Sequence, residues 1–159
     1  MFGDKDIMMY GRKLKILRER NGMTQEQMGL YIGVTKQAFN HFEKEYTIIP
    51  IQHLNNLCNY FNVSLDYIFD FNNINQYENV SSEINLEIVK NRLKEFRKDN
   101  KLSQEKLASL LNVAKGTIGN YESCRAIIAT PFLYTICKKY NISADYLLGK
   151  IDSLKYLNK

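Results

Sequence analysis

Cysteine and histidine are scarce in this chain of 159 residues, which has three cysteines and two histidines. The cysteines Cys58, Cys124 and Cys137 are odd in number and include no Cys-x-x-Cys pair, which argues against a disulfide framework and against a zinc site. The two histidines, His41 and His53, are too few to strengthen a metal interpretation. We therefore predict no metal and no cofactor.

Long apolar segments are also missing. No apolar run approaches the roughly 18 residues that cross a bilayer, and residues 1–4 lack the basic and apolar stretches of a secretion signal. Apolar residues still make up 45% and charged residues 25%, which is typical of a globular protein with a packed core. The sequence predicts a cytoplasmic protein without a membrane partner.

Catalytic motifs do not stand out in the sequence either. No nucleophile, base and orienting group occur in a recognisable arrangement, and there is neither a Gly-rich phosphate loop nor a metal-ligand cluster. We predict that the chain is not an enzyme.

The net charge of +5 is unevenly placed. Residues 1–72 carry 8 basic and 8 acidic side chains, whereas residues 73–159 carry 14 basic and 9 acidic ones. A basic surplus is compatible with a nucleic-acid partner, although many domains carry the same charge without one.

The chain repeats itself at an offset of 79 residues. When Leu14 is placed under Leu93, 17 of the 57 positions from Leu14 to Asp70 are identical to their partners without a gap. The identical pairs include Arg18/Arg97, Gln25/Gln104, Lys36/Lys115, Glu43/Glu122 and Cys58/Cys137. A gapless match over a whole unit predicts two copies of one domain, at 1–70 and 86–159, joined by a polar linker at 71–85.

Each copy has the pattern of five short helices, and no alternating strand pattern competes with it. Apolar residues recur at helical spacing in the first helix. Thr24 and Ser103 are suited to cap the second helix, and Ser64 and Ser143 to cap a short fifth one. We predict an all-α fold of two tandem five-helix domains.

The second and third helices of the two copies carry one shared motif. Its residues are Thr24-Gln25-Glu26, Met28, Val34, Phe39 and Phe42-Glu43, and again Ser103-Gln104-Glu105, Leu107, Val113, Ile118 and Tyr121-Glu122. This order resembles the Cro and lambda-repressor-like helix-turn-helix proteins, also called the XRE family. The resemblance covers nearly the whole chain apart from the linker and both ends, and it implies two lambda-repressor-like domains that bind double-stranded DNA.

The resemblance also implies which side chains contact DNA. The third helix of such a domain lies in the major groove with its N-terminal part against the base edges. The positions that match the family's base readers are Lys36, Gln37 and His41 in the first copy, and Lys115, Gly116 and Asn120 in the second. Lysine suits the acceptors of guanine, and glutamine or asparagine can form two hydrogen bonds with adenine. Phosphate contacts are expected from Gln25 and Gln104 at the start of the second helix, and from Thr117 and Arg125.

Other matched positions have a structural interpretation. Arg18 with Glu43, and Arg97 with Glu122, match a family salt bridge that ties the first helix to the third. Four large side chains of the third helices are expected in the core because they recur at helical spacing: Phe39, Phe42, Ile118 and Tyr121.

Both copies depart from the family just after the third helix, where glycine is usual. Glu45 and Cys124 stand there, so each must tolerate or avoid a positive φ. In the first copy Glu43 and Glu45 flank Lys44, and we expect local repulsion of phosphates; in the second copy Arg125 follows and fits the pattern. Together with the uneven charge, this favours the second domain as the larger source of nonspecific DNA affinity.

The leading hypothesis is that the chain is a transcriptional regulator. We expect it to be a repressor of a phage, mobile-element or bacterial operon. With two DNA-reading domains, the chain could bind as a covalent pseudo-dimer, or it could form a homodimer that presents four such domains. The alternative is a protein-binding module, such as an antagonist, an antitoxin or a phage-encoded inhibitor of host defence, because a fold does not fix a function. Binding through phosphates must weaken steeply with salt, which separates the two hypotheses.

The end of the chain has no assigned role. Ile151, Leu154 and Leu157 recur at helical spacing, and they could pack on the second domain or on another chain.

Overall fold

The computed structural model of the protein describes residues 8–157. The chain divides after Gln76 into two compact units. The first unit contains α1 (Gly11–Arg20), α2 (Gln25–Ile32), α3 (Lys36–Glu43), α4 (Ile51–Phe61) and α5 (Leu65–Ile68). The second contains α6 (Leu86–Asp99), α7 (Gln104–Leu111), α8 (Lys115–Tyr121), α9 (Thr130–Tyr140) and α10 (Ala144–Leu147). Within the described residues the only extended pairing is one isolated bridge between Ile142 and Tyr156, so the predicted all-α fold of two tandem five-helix domains is confirmed.

Residues 1–7 and 158–159 lie outside the described part of the chain. They include the N-terminal stretch in which the sequence predicts no secretion signal. Among residues 8–157, no helix has both the length and the apolar character needed to span a bilayer.

Capping side chains define where the second helix of each unit begins. Thr24 accepts a hydrogen bond from the N–H of Gln27 at 3.0 Å, and the Gln27 side chain accepts one from the N–H of Thr24 at 2.8 Å. Ser103 accepts from the N–H of Lys106 at 3.1 Å. These bonds satisfy main-chain donors that have no partner inside the helix. The predicted caps at Thr24 and Ser103 are therefore present, as are those of Ser64 and Ser143 on the short fifth helices.

The core of each unit is built from the apolar faces of its helices. Phe39 in α3 and Ile118 in α8 are completely buried, and Tyr121 is buried as well. Phe42 is only half-buried, so its expected place in the core is wrong. Its ring lies 6.2 Å from that of His53 on α4, at the margin of the unit rather than in its centre.

Several residues between 71 and 85 are bonded to the unit on their own side of the division. The N–H of Ser64 donates to the carbonyl of Asn75 at 2.6 Å, and the N–H of Ser81 donates to the carbonyl of Lys150 at 2.8 Å. The boundaries of the domains and of the linker stay a prediction. The structure adds that both ends of this polar segment are held by main-chain hydrogen bonds.

Residues 151–157 fold back on the second unit without forming a helix. Ile151 and Leu157 are buried, whereas Leu154 is 57% exposed and has a φ of 60°. The N–H of Ser143 donates to the carbonyl of Lys155 at 2.8 Å, which holds the segment extended beside the start of α10. Of the two possibilities that the sequence left open, the structure has Ile151 and Leu157 packed on the second domain.

Candidate nucleic-acid interface

An ion pair joins the first and third helices in each unit, buried in the first unit and part-buried in the second. Arg18 donates from Nε to Oε2 of Glu43 at 2.8 Å and from Nη2 to Oε1 at 2.9 Å. Its Nη1 also donates to the carbonyl of Met23 at 2.8 Å, in the turn before α2. Arg97 makes the same two bonds to Glu122 at 2.7 and 2.9 Å. Bonding to the carboxylate raises the pKa of both arginines, so the expected pairs are present and fix the third helix of each unit in place.

The predicted phosphate-binding glutamines face these ion pairs. In the first unit Gln25 donates from Nε2 to Glu43 Oε1 at 3.1 Å and to Asn40 Oδ1 at 3.0 Å. In the second unit Gln104 donates to Glu122 Oε1 at 3.3 Å. Both amides are therefore bonded within their own units, and their contact with a phosphate stays a prediction.

The predicted base readers of the first unit, all on α3, differ in their exposure to solvent. Lys36 and Gln37, in the first turn of the helix, are exposed. His41 is half-buried, and its ring lies 5.8 Å from the ring of Tyr46. The side chains of the first turn of α3 are thus accessible to a binding partner, whereas His41 is partly covered by residues of its own unit.

The second unit offers a sparser face. Lys115, Gly116 and Asn120 are exposed on α8, and so is Arg125 beyond its end, while Thr117 is half-buried. The Lys115 Nζ lies 3.6 Å from Oε1 of Glu105 on α7, and both side chains are exposed. Such a surface pair contributes little to stability, so Lys115 can exchange it for an external anion.

The residues that replace glycine after the third helix adopt the left-handed conformation, with φ of 58° at Glu45 and 62° at Cys124. The Glu45 carboxylate accepts hydrogen bonds from the N–H groups of Met9, Tyr10 and Gly11 at 3.2, 3.0 and 2.8 Å. These donors lie at the start of α1, where helix geometry leaves them unpaired and the dipole favours a negative charge. Glu45 therefore caps α1 from 34 to 36 residues away, a role that the sequence analysis missed.

Cys124 holds the corresponding place in the second unit with weaker contacts. Its Sγ lies 3.5 Å from the carbonyl oxygen of Leu86 and 3.3 Å from Oε2 of Glu87. Desolvation and the neighbouring carboxylate raise the pKa of the Cys124 thiol, which keeps it a neutral donor. A reactive cysteine needs the opposite shift.

The two carboxylates that flank Lys44 both accept hydrogen bonds within the first unit. Glu43 is bonded to Arg18, and Glu45 is bonded to the start of α1. The repulsion of phosphates that we expected here stays a prediction, because Glu45 keeps its negative charge while it accepts hydrogen bonds from neutral main-chain N–H groups.

A groove of about 880 Å³ in the first unit runs along α1 and reaches the start of α3. Its lining includes the basic side chains of Arg12, Lys15, Lys36 and Lys44, together with Gln25. The groove therefore brings together two predicted site residues, Gln25 and Lys36. Arg12 and Lys15 received no role from the sequence, because exposed basic residues at helical spacing are usual on any solvated helix face.

The histidines do not assemble a site with other ligands. Within residues 8–157, no group of three or more His, Cys, Asp or Glu side chains lies together as a metal ion would require. The Nδ1 atom of His53 is buried and has no hydrogen-bond partner among the described residues.

Known protein families match both halves of this architecture. A helix-turn-helix family model matches residues 14–68, and a helix-turn-helix domain model matches residues 91–153. The chain is an XRE-like helix-turn-helix protein with two such domains, as the resemblance in its sequence implied.

Three curated proteins are similar to part of the chain. The uncharacterized HTH-type transcriptional regulator YobD of Bacillus subtilis is 36% identical over 61 residues, which cover 38% of this chain and 54% of that protein. The HTH-type transcriptional regulator ImmR of the same species is 39% identical over 59 residues, or 37% of this chain and 46% of that protein. The antitoxin PezA of Streptococcus pneumoniae is 26% identical over 85 residues, or 53% and 54%. The chain thus spans about half the length of these relatives. No solved structure matches it.

Proposed function

We propose that the chain is a sequence-specific regulator of transcription that binds double-stranded DNA and acts as a repressor in a bacterial, phage or mobile-element operon. The observation that carries this proposal is the exposed first turn of α3. There Lys36 and Gln37 are exposed on a helix that the buried pair of Arg18 and Glu43 joins to α1. The names of YobD and ImmR, both HTH-type transcriptional regulators, support it.

In this proposal α3 and α8 each enter the major groove. Lys36 and Lys115 bond guanine acceptors, while Gln37 and Asn120 bond adenine. The main chain at the start of α2 and α7 and the side chain of Arg125 bind phosphates, which set the register of the helices on the duplex without reading sequence. The role requires no catalysis and no cofactor.

The two domains are not equal readers. Gly116 and Gly119 leave α8 without side chains at positions where α3 carries Gln37 and Asn40. We therefore expect the first domain to supply more of the base discrimination. A bidentate contact is worth about 1–3 kcal/mol of discrimination against the wrong base, so a helix with fewer reading side chains distinguishes fewer base pairs.

Paired alanine variants test the proposal domain by domain. One variant carries Lys36→Ala and Gln37→Ala, and its match in the other domain carries Lys115→Ala and Asn120→Ala. The readout is the ratio of affinities for DNA from upstream of its own gene and for a random duplex of equal length. We expect both variants to lower this ratio, the first by more. An unchanged ratio when all four residues are replaced would contradict the proposal.

A second candidate function, a protein-binding module, is favoured by an apolar face on the first unit. Leu30, Tyr31 and Tyr60 are 81%, 51% and 40% exposed, and the two tyrosine rings lie 4.8 Å apart. At the corresponding positions of the second copy, Ser109 and Lys139 replace Leu30 and Tyr60. Large contiguous apolar patches on a protein surface mark interaction sites. The similarity to the antitoxin PezA supports the same candidate.

The second copy supplies the variant that tests this candidate. Leu30→Ser with Tyr60→Lys replaces two residues of the apolar face by those that the second domain carries at the same positions. If the face binds a protein, the wild type purified from its native cells carries a stoichiometric partner that the variant has lost, while DNA affinity is unchanged. Wild type and variant that purify alike would contradict a protein-binding role.

A further inference from the structure

The amide nitrogen of Gln25 uses both of its hydrogen atoms within the first unit. It donates to Glu43 Oε1 at 3.1 Å and to Asn40 Oδ1 at 3.0 Å. In its ion pair with Arg18, the Glu43 carboxylate has only acceptors to offer. The group of Gln25 that faces Glu43 must therefore be the NH2 group, because the opposite orientation would place two oxygen atoms against each other.

The same bonds fix the orientation of the Asn40 amide. Because the Gln25 NH2 group is the donor, Asn40 must accept with its carbonyl oxygen Oδ1. Within residues 8–157 this is the one hydrogen bond of the Asn40 side chain. The Nδ2 group, with its two donor hydrogens, is therefore what this half-buried side chain still offers to a binding partner.

Asn40 lies beside the exposed first turn of α3. It follows Lys36 by four residues and Gln37 by three, and residues at these spacings are neighbours on the surface of a helix. A duplex that contacts Lys36 and Gln37 therefore also approaches the Asn40 amide.

We propose that Asn40 is a further DNA-contacting residue of α3, which donates from Nδ2 to a hydrogen-bond acceptor of the duplex, and that Gln25 is the positioning residue that holds it in this orientation. The inference rests on the proposed function. It replaces the phosphate contact that we expected from the Gln25 side chain, because both donor hydrogens of that amide are already engaged and a phosphate oxygen only accepts. With Oδ1 engaged, Asn40 cannot form the two-bond contact with adenine. Its partner is instead an acceptor, such as O6 or N7 of guanine or a phosphate oxygen.

The second domain has the same frame without the asparagine. Gln104 donates to Glu122 Oε1 at 3.3 Å, but Gly119 stands at the position of Asn40. A Cβ atom added at Gly119 meets open space, so an asparagine side chain has room there. The two copies therefore allow the contact to be removed from one domain and added to the other.

The first test is the affinity of Asn40→Ala for three kinds of DNA: the DNA upstream of its own gene, the same DNA with each base pair replaced in turn, and a random duplex. Loss of one hydrogen bond should weaken binding to the upstream DNA about 2- to 12-fold. If the acceptor belongs to a base, one base pair no longer influences the affinity of the variant. If it belongs to a phosphate, the variant binds every duplex more weakly by the same factor.

Thermal melting verifies that Asn40→Ala is folded. A variant that melts like the wild type and binds every duplex as the wild type does overturns the inference but not the proposed function. A wild type that binds no duplex overturns both.

A double-mutant cycle tests the positioning role of Gln25. Gln25→Ala removes the donor that fixes the Asn40 amide, so it should weaken DNA binding in the wild type and have little effect in the Asn40→Ala protein. A Gln25 side chain that contacted a phosphate by itself would contribute equally in both backgrounds. Equal losses in the two backgrounds would therefore overturn the positioning role.

Gly119→Asn is the matched gain of function, and Gly119→Ala is its control. Gln104 and Glu122 already supply the frame for an asparagine at this position. We expect Gly119→Asn to bind the upstream DNA, or one of its single-pair replacements, about 2- to 12-fold more tightly than Gly119→Ala does. Equal affinities of the two variants for the whole set of duplexes would contradict the inference.

Discussion

Replacement of Glu45 tests whether its carboxylate outweighs the cost of its backbone conformation. A side chain in the left-handed region costs about 1–2 kcal/mol relative to glycine, and Glu45 has a φ of 58°. Its carboxylate accepts three part-buried hydrogen bonds, and a bond to a charged group contributes about 1.5 kcal/mol at the low end. Because the carboxylate is partly exposed, we count each bond as about 1 kcal/mol, so Glu45→Ala should lower the free energy of unfolding by about 3 kcal/mol. Glu45→Gly should lose only about 1–2 kcal/mol, because it relieves the backbone.

Urea unfolding of the full chain measures these losses, and hydrogen exchange locates them. The expected order of stability is wild type, then Glu45→Gly, then Glu45→Ala. The main-chain N–H groups of Tyr10 and Gly11 should exchange faster in both variants, because they lose their acceptor. A Glu45→Gly protein at least as stable as the wild type would refute the reasoning, since the hydrogen bonds of the carboxylate would then contribute no more than the backbone strain costs.

The second copy offers a control of opposite sign. Cys124 has a φ of 62°, and its thiol is a weak donor to the start of α6. Cys124→Gly relieves the same strain and gives up much less, so it should raise stability where Glu45→Gly lowers it. Two glycine variants that shift stability in the same direction would contradict the capping role of Glu45.

Three further tests address the scaffold and the reading helices. Glu43→Ala leaves the buried Arg18 without its partner, and we expect urea unfolding to show a loss of about 3–5 kcal/mol; a loss below about 1 kcal/mol would place the pair at the level of a surface salt bridge. Gly11→Ala sets a methyl group against the main-chain carbonyl of Glu43 and should cost about 1–3 kcal/mol. Gly119→Ala meets open space and should gain about 0.5–1 kcal/mol; thermal melting that shows equal shifts for the two variants would contradict this. Gln37→Ala should lower the preference at one base pair by about 1–3 kcal/mol with an unchanged salt slope; competition binding checks this, and a lower slope with the preference intact would reassign Gln37 to phosphate.

Local and repeated features could be predicted from the sequence. Thr24 and Ser103 directly precede helical patterns, and their hydroxyl groups can accept a hydrogen bond from an N–H group of the first turn. Their capping role therefore follows from side-chain chemistry. The pair of Arg18 and Glu43 recurs as Arg97 and Glu122. Loss of one partner would leave the other as an uncompensated charge, so both residues of such a pair are expected in each copy.

Contacts between distant parts of one domain could not be predicted in the same way. Glu45 caps α1 across more than 30 residues, and no periodicity links a carboxylate after α3 to the main chain before α1. Leu154 continues a helical spacing, yet its φ of 60° and the main-chain bond from Ser143 to Lys155 prevent a helix. Arg12 and Lys15 line a groove that only the folded unit forms, so the sequence of α1 alone does not reveal this.

If the chain binds the phosphates of DNA and reads its base sequence with α3 and α8, its affinity for a duplex depends both on salt and on the sequence. The most direct test is the affinity of the wild type for the DNA upstream of its own gene and for a random duplex, measured from 50 to 200 mM salt. We predict tighter binding to the upstream DNA and, for 6–10 phosphate contacts, a loss of about 10³–10⁵ in affinity over that range. Binding to neither duplex at 50 mM salt, or binding that does not change with salt, would contradict the claim.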